Sequence, residues 1–168
     1  TFYEVGGFQG IDDLASGDDE LLLHKIAAKY PDQIGFLKNR EAIVYTHAKE
    51  TLGAFIQQRK RWASKSTRYK DKSVIILGIS VWLFNLSIIL NALLAVFFPT
   101  QTLPFLAFQL VSKLLVEFVF LNNMMSFFKR KALLWWLPLL NALHIIYIVY
   151  IGIAGNSGKY NWKGRMVK

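Results

Sequence analysis

The sequence has no cysteine. That excludes a disulfide scaffold, a zinc site with thiolate ligands and a cysteine nucleophile. Histidine is scarce, and His24 and His47 are too scattered to suggest a metal site. Charge is also missing, but only from part of the chain. Between Ser73 and Gly158 the acidic and basic residues thin to Lys113, Glu117 and the run Lys129-Arg130-Lys131. A soluble domain interleaves charge along its whole length, because each element needs a wet face. Here 54% of the residues are hydrophobic, and the apolar ones gather where the charges are absent.

The net charge of +9 fits either nucleic acid or a membrane surface. Position decides between them. The densest basic run, Arg59, Lys60, Arg61, Lys65, Arg68, Lys70 and Lys72, directly precedes the first long apolar stretch. Such a cluster faces anionic lipid headgroups and holds its end of the chain in the cytoplasm. Membrane lipids are therefore the expected partner, and nucleic acid is not.

The chain starts at Thr1 and enters patterned sequence at once, so it is expected to be the tail of a longer protein. Residues 1–17 read as irregular, with glycines as punctuation and Phe2, Val5, Phe8 and Ile11 as apolar anchors. Asp18 and Asp19 open a helix, where acidic groups suit the unpaired N–H groups of the first turn. Leu22, Leu23, Ile26 and Ala27 give it an apolar stripe, and Pro31 ends it. Ile34–Leu37 and Ala42–Thr46 read as two short strands around the polar turn Lys38-Asn39-Arg40-Glu41. An amphipathic helix follows from about Glu50 to Ser64, its apolar and aromatic face suited to a membrane interface.

Three apolar segments come next: Ser73–Phe98, Thr102–Phe128 and Ala132–Ala154. Each exceeds the roughly 20 residues that cross a hydrocarbon core, and in lipid each should be helical. The link Pro99-Thr100-Gln101 is neutral and the link Lys129-Arg130-Lys131 basic, the alternation expected when basic loops stay inside. The tail conflicts with it. Three crossings that start inside end outside, yet Lys159, Lys163, Arg165 and Lys168 make the tail basic. Either the tail is external against the rule, or one segment does not cross. The second segment is the first suspect, because it carries Lys113 and Glu117.

Lys113 and Glu117 stand four apart and share a helix face, so they can pair. Ionisable groups in a membrane segment point to a polar path or to a neutralised pair between helices. Asn85, Asn91, Asn122, Asn123, Asn141 and His144 are candidates for hydrogen bonds between helices.

The sharpest motif is Gln58-Arg59-Lys60-Arg61-Trp62. A guanidinium can steady a departing diphosphate through two parallel hydrogen bonds. A Trp face stacks on a sugar ring, and a Gln offers both a donor and an acceptor. The same five residues also suit an interfacial anchor, and Asp18-Asp19 also suits a plain helix start. Their order is more specific. Val5-Gly6-Gly7-Phe8, then Asp18-Asp19 opening a helix, then Gln-x-x-Arg-Trp before membrane segments, resembles the membrane-bound family 2 glycosyltransferases. The closing Asn161-Trp162-Lys163-Gly164-Arg165 is similar to the tail of several of them.

That resemblance implies an α+β piece of a GT-A-type α/β catalytic domain over residues 1–49. It is followed by an interfacial helix and basic linker over 50–72, three membrane helices over 73–154 and a basic tail over 155–168. It implies Asp19 as general base with Asp18 beside it. Gln58, Arg61 and Trp62 would hold diphosphate and sugar, and Gly6, Gly7 and Phe8 would shape the acceptor pocket. The reaction would invert the anomeric centre, moving sugar from a nucleotide-sugar to a lipid or polysaccharide at the cytoplasmic face of a bacterial inner membrane. A divalent metal, Mg or Mn, would be held by an upstream Asp-x-Asp, a spacing absent here, so this piece alone is expected to be inactive. A transporter subunit and a non-catalytic membrane anchor are the alternatives.

Overall fold

A computed structural model describes the backbone of residues 1–11, 17–64, 69, 71–156, 160–162 and 165–167, and side chains up to Gly155. Asp12, Asp13, Ser16, Lys65, Arg68, Lys70, Lys159, Lys163, Gly164 and Lys168 lie outside the described residues. Five α-helices carry the chain: α1 Asp18–Lys29, α2 Leu52–Ala63, α3 Lys72–Leu94, α4 Pro99–Phe127 and α5 Leu137–Asn156. Residues Lys131–Trp136 form a 3-10 stretch leading into α5. The tail forms an antiparallel hairpin of β1 Tyr160–Trp162 and β2 Arg165–Val167, with Asn161 opposite Met166. The fold divides into two units, one of residues Thr1–Ile75 with Ile151–Lys168, the other Ile76–Tyr150.

The expected α+β piece of a GT-A-type domain is not there. Among the described residues the one β-ladder is the tail hairpin, and Ile34–Leu37 and Ala42–Thr46 do not pair. The local reading was right about the backbone, since Ile34 and Ile43 have extended dihedrals. It failed at the turn. Asn39 Oδ1 accepts the Glu41 N–H at 3.0 Å, which draws Arg40–Ala42 into a 3-10 turn. A hydrogen bond of this kind competes directly with a sheet ladder. The turn consumes the start of the second strand, and the two extended stretches separate.

In the first unit, α1 starts with three acidic residues in its first turn and ends at Tyr30, before Pro31. The preceding turn is fastened along it. Lys25 Nζ donates to the carbonyls of Gly7 (2.7 Å) and Gln9 (2.9 Å). Lys29 Nζ donates to Glu4 O at 3.1 Å, and the Tyr30 hydroxyl to Glu4 Oε2 at 2.6 Å. That last bond holds the Glu4 carboxyl below its usual range. α2 starts at Thr51, whose hydroxyl accepts the Ala54 N–H at 3.1 Å, an N-cap that replaces a missing intrahelical bond.

In the second unit, α3, α4 and the Lys131–Gly155 stretch are each long and apolar enough to cross a membrane. Polar side chains link them. Trp82 Nε1 donates to Val149 O at 3.2 Å. Gln109 on α4 accepts from Asn91 (2.8 Å) and donates to Ser87 (2.9 Å), both on α3.

Gly7 tests how the first turn is built. It is buried, its φ is +49°, and a Cβ there would lie 2.8 Å from the Phe2 ring. Left-handed backbone costs an L-residue about 1–2 kcal/mol, before the clash is counted. Gly7→Ala is expected to lower the thermal unfolding midpoint and to speed proteolysis within residues 1–11. Gly10→Ala, where nothing lies within 4 Å, should show the smaller effect.

Candidate functional site

The residues that resemble a transferase site fall on two elements of the first unit. Gly6, Gly7 and Phe8 form the turn that Lys25 clamps onto α1. Asp18 and Asp19 sit exposed in the first turn of the same helix. Asp19 Oδ1 accepts the Glu20 N–H at 2.9 Å, which fixes the carboxylate at the helix start with its other oxygen available to a hydroxyl. The turn and the carboxylate pair are thus joined through one lysine.

Gln58, Arg61 and Trp62 lie at i, i+3 and i+4 on α2 and so share a face. Gln58 and Arg61 are half-buried and Trp62 is exposed. Arg59, which the sequence reading placed only in the basic run facing lipid headgroups, stacks its guanidinium 4.3 Å from the Trp62 ring and 4.8 Å from the Phe55 ring. A cation held between two aromatic faces stiffens both, so Arg59 presents the Trp62 ring in a set orientation. The spacing Phe55, Arg59, Trp62 was available in the sequence as a cation flanked by aromatics one helical turn away on each side.

A tyrosine also escaped the sequence reading. The Tyr69 hydroxyl donates to Glu20 Oε1, and its ring lies 5.1 Å from that of His24. Tyr69 follows α2 and Glu20 follows Asp19, so this contact brings the chain leaving the Gln-x-x-Arg-Trp helix back to the helix of the carboxylate pair. Burial, aided by the bond to Glu20, pushes the Tyr69 hydroxyl up to about 12.

A second polar group lies in the apolar unit. The Lys113 ammonium bonds to Glu117 Oε1 and approaches His144 Nδ1 at 3.3 Å. Asn141 Nδ2 donates to Glu117 Oε2 at 2.6 Å. Lys113 is 6% exposed and Asn141 5%, so both are withdrawn from the surroundings. The pair within α4 is legible from its four-residue spacing. The sequence did not show that Asn141 and His144, three apart on α5, complete it. Both carboxylate oxygens are engaged, and the arrangement reads first as a fastening between α4 and α5.

Two outcomes check these assignments. Tyr69 has its folded pKa raised, so the stabilisation from its hydroxyl is full below pH 10 and is lost as pH rises through about 12. A tyrosinate absorbance titration of Tyr69→Phe should lack that late ionisation. In α4, Glu117→Leu leaves a buried ammonium without its counter-charge, a loss of about 3–5 kcal/mol for such pairs. The double variant Lys113→Met, Glu117→Leu should recover much of the thermal stability measured in detergent micelles.

Among the described residues no three His, Asp or Glu side chains come together to hold a metal ion. No known protein family, curated protein or solved structure matches this chain.

Proposed function

We propose that the chain is the acceptor-side and membrane part of an inverting sugar transferase, moving sugar from a nucleotide-sugar to a lipid or polysaccharide acceptor at the cytoplasmic face of the membrane. The observation that carries the reading is the Tyr69–Glu20 contact. It links the carboxylate pair, and the glycine turn fastened to it, with the segment that leaves the Gln-x-x-Arg-Trp helix. Helices apolar enough to cross a bilayer follow directly, which suits an acceptor that is itself held at the membrane.

In this reading the acceptor hydroxyl oxygen forms a bond to the anomeric carbon as the bond from that carbon to the diphosphate breaks. Asp19 takes the hydroxyl proton. The nucleoside diphosphate leaves with the bonding electron pair, and Arg61 meets its growing charge. A carboxylate is needed because the hydroxyl is too weak an acid to ionise unaided. Trp62, held by Arg59, offers a flat apolar face to a sugar ring, and Gln58 a donor and an acceptor beside it. Gly6, Gly7 and Phe8 lie on the acceptor side, and Asp18 supports the helix start. The described residues do not furnish a site for the divalent ion that such reactions use, so no step is assigned to it.

The test is transfer from labelled nucleotide-sugars by membranes containing the full-length protein. Asp19→Asn should lower label entering lipid or polymer by about 10²–10⁴-fold, the range for general-base catalysis. Tyr69 titration should be unchanged, showing that the fold persists. Equal transfer by both proteins removes Asp19 from the chemistry.

A further inference from the structure

The second unit, Ile76–Tyr150, is not neutral. Its sequence has one acidic residue, Glu117, and that carboxylate is committed. Lys113 bonds to one oxygen and Asn141 donates to the other. Three further cations, Lys129, Arg130 and Lys131, follow one another in the turn after α4. All three are exposed. Among the described residues none of their side chains has an ion-pair or hydrogen-bond partner. Capping does not occupy them either. The Arg130 N–H donates to Met125 O at 2.8 Å and the Lys129 N–H to Ser126 O at 3.3 Å, so the backbone closes the end of α4 by itself. Lys129 takes there the left-handed φ of +55° that glycine usually supplies. The turn therefore presents concentrated positive charge whose counter-charge lies outside the unit.

The same turn opens onto a groove. The 3-10 stretch Lys131–Trp136 packs against α4. Side chains three apart fall in line on such a stretch, which puts Lys131, Leu134 and Leu137 in one row. With Trp135 they face Leu114, Leu115 and Phe118 of α4 across a groove of about 440 Å³. Lys131 is the one charged residue in its lining. Trp135 and its neighbour Trp136 are 89% and 57% exposed. Exposed indoles of membrane helices settle at the level of the headgroups. The groove thus combines apolar walls, an amphipathic edge and a cation drawn from an uncompensated cluster.

We infer that this groove is a binding site for an anionic phospholipid of the bilayer, with an acyl chain along Leu115 and Phe118 and the phosphate at Lys131. Apolar walls alone select nothing in a membrane, because a lipid tail sheds no water on entering them. Selection comes from the headgroup. Basic pockets between membrane helices hold anionic heads, and each Lys or Arg near the surface favours them roughly five-fold. A lysine stem lies along apolar surface while its ammonium reaches out to the phosphate. A soluble anion would meet the cations and leave the groove unfilled. A second copy of this unit would bring three more cations and no free acid. An anionic lipid brings the counter-charge on the same molecule that fills the groove.

The test titrates the full-length protein, in neutral detergent, with phosphatidylglycerol or phosphatidylcholine and counts retained lipid by native mass spectrometry. Other basic segments of the chain add binding of their own, so the difference between wild type and variant is read. Lys131→Gln should lower phosphatidylglycerol binding roughly five-fold, and the triple variant Lys129→Gln, Arg130→Gln, Lys131→Gln roughly 10²-fold. Lys131→Arg should keep it, and phosphatidylcholine binding should not follow the charge. Leu115→Trp narrows the groove and leaves every cation in place, and it should lose the same phosphatidylglycerol. These residues are exposed, so an unchanged thermal midpoint without added lipid shows that each variant is folded. Loss in the triple variant with full retention in Leu115→Trp would mean attraction to the charged turn without a groove site, and overturns the inference. So does equal retention of the two lipids by wild type and triple variant alike, or a dimer of the wild type that excludes lipid. None of these readouts depends on sugar transfer.

Discussion

Hydrocarbon offers a peptide group no hydrogen-bond partner, so a segment in lipid must satisfy its own backbone. That requirement shapes the chain from Ser73 to Ala154 more than any single contact does. It winds α3, α4 and α5, and it makes stray polar side chains expensive unless they meet one another. With apolar surface already at home in lipid, packing between helices rests on shape and on hydrogen bonds. The contacts seen here follow that rule: an indole to a carbonyl, an amide relay from Asn91 through Gln109 to Ser87, and an ammonium, carboxylate, imidazole and amide gathered around Glu117. The polar residues join the helices beside a few buried apolar ones, Ile88 on α3 and Leu137 and Ile145 on α5, while most of the apolar side chains face outward.

In the chain before Ser73 the balance reverses. The first unit buries few apolar side chains, Leu21 being the one on α1, and is held by long polar side chains reaching backbone carbonyls. Lys25 and Lys29 fasten the glycine turn, and Tyr30 and Tyr69 each close on a glutamate. Such a unit is positioned more than it is packed.

Much of this was legible in the sequence. Helix limits followed from local chemistry: Asp18-Asp19 and Pro31 bracket α1, and the apolar runs delimit α3 to α5 within a few residues. The extended backbone around Ile34 and Ile43 was legible too. Pairing was not, because a ladder depends on two segments meeting, and one side-chain bond from Asn39 was enough to part them. Long-range partners were hidden for the same reason. Tyr69 looked like an ordinary linker residue until it met Glu20, and Asn141 and His144 had no visible connection with Lys113 some thirty positions earlier. Of the candidate site, the residue types and their order were readable, while the contact that relates α1 to the segment after α2 was not.

The stretch between α1 and α2 has a practical side. Phe36, Val44 and Tyr45 are 89%, 91% and 77% exposed, on backbone that is extended at Ile34, Asn39 and Ile43 and outside the one described ladder. Open extended chain with apolar side chains is a template for edge-to-edge association. Detergent shields the membrane helices but does nothing for a region that lies outside them. Material produced from residues 1–168 alone would therefore self-associate through this region even in well-chosen micelles, and charged replacements at Phe36 and Val44 would improve its dispersity where a change of detergent would not.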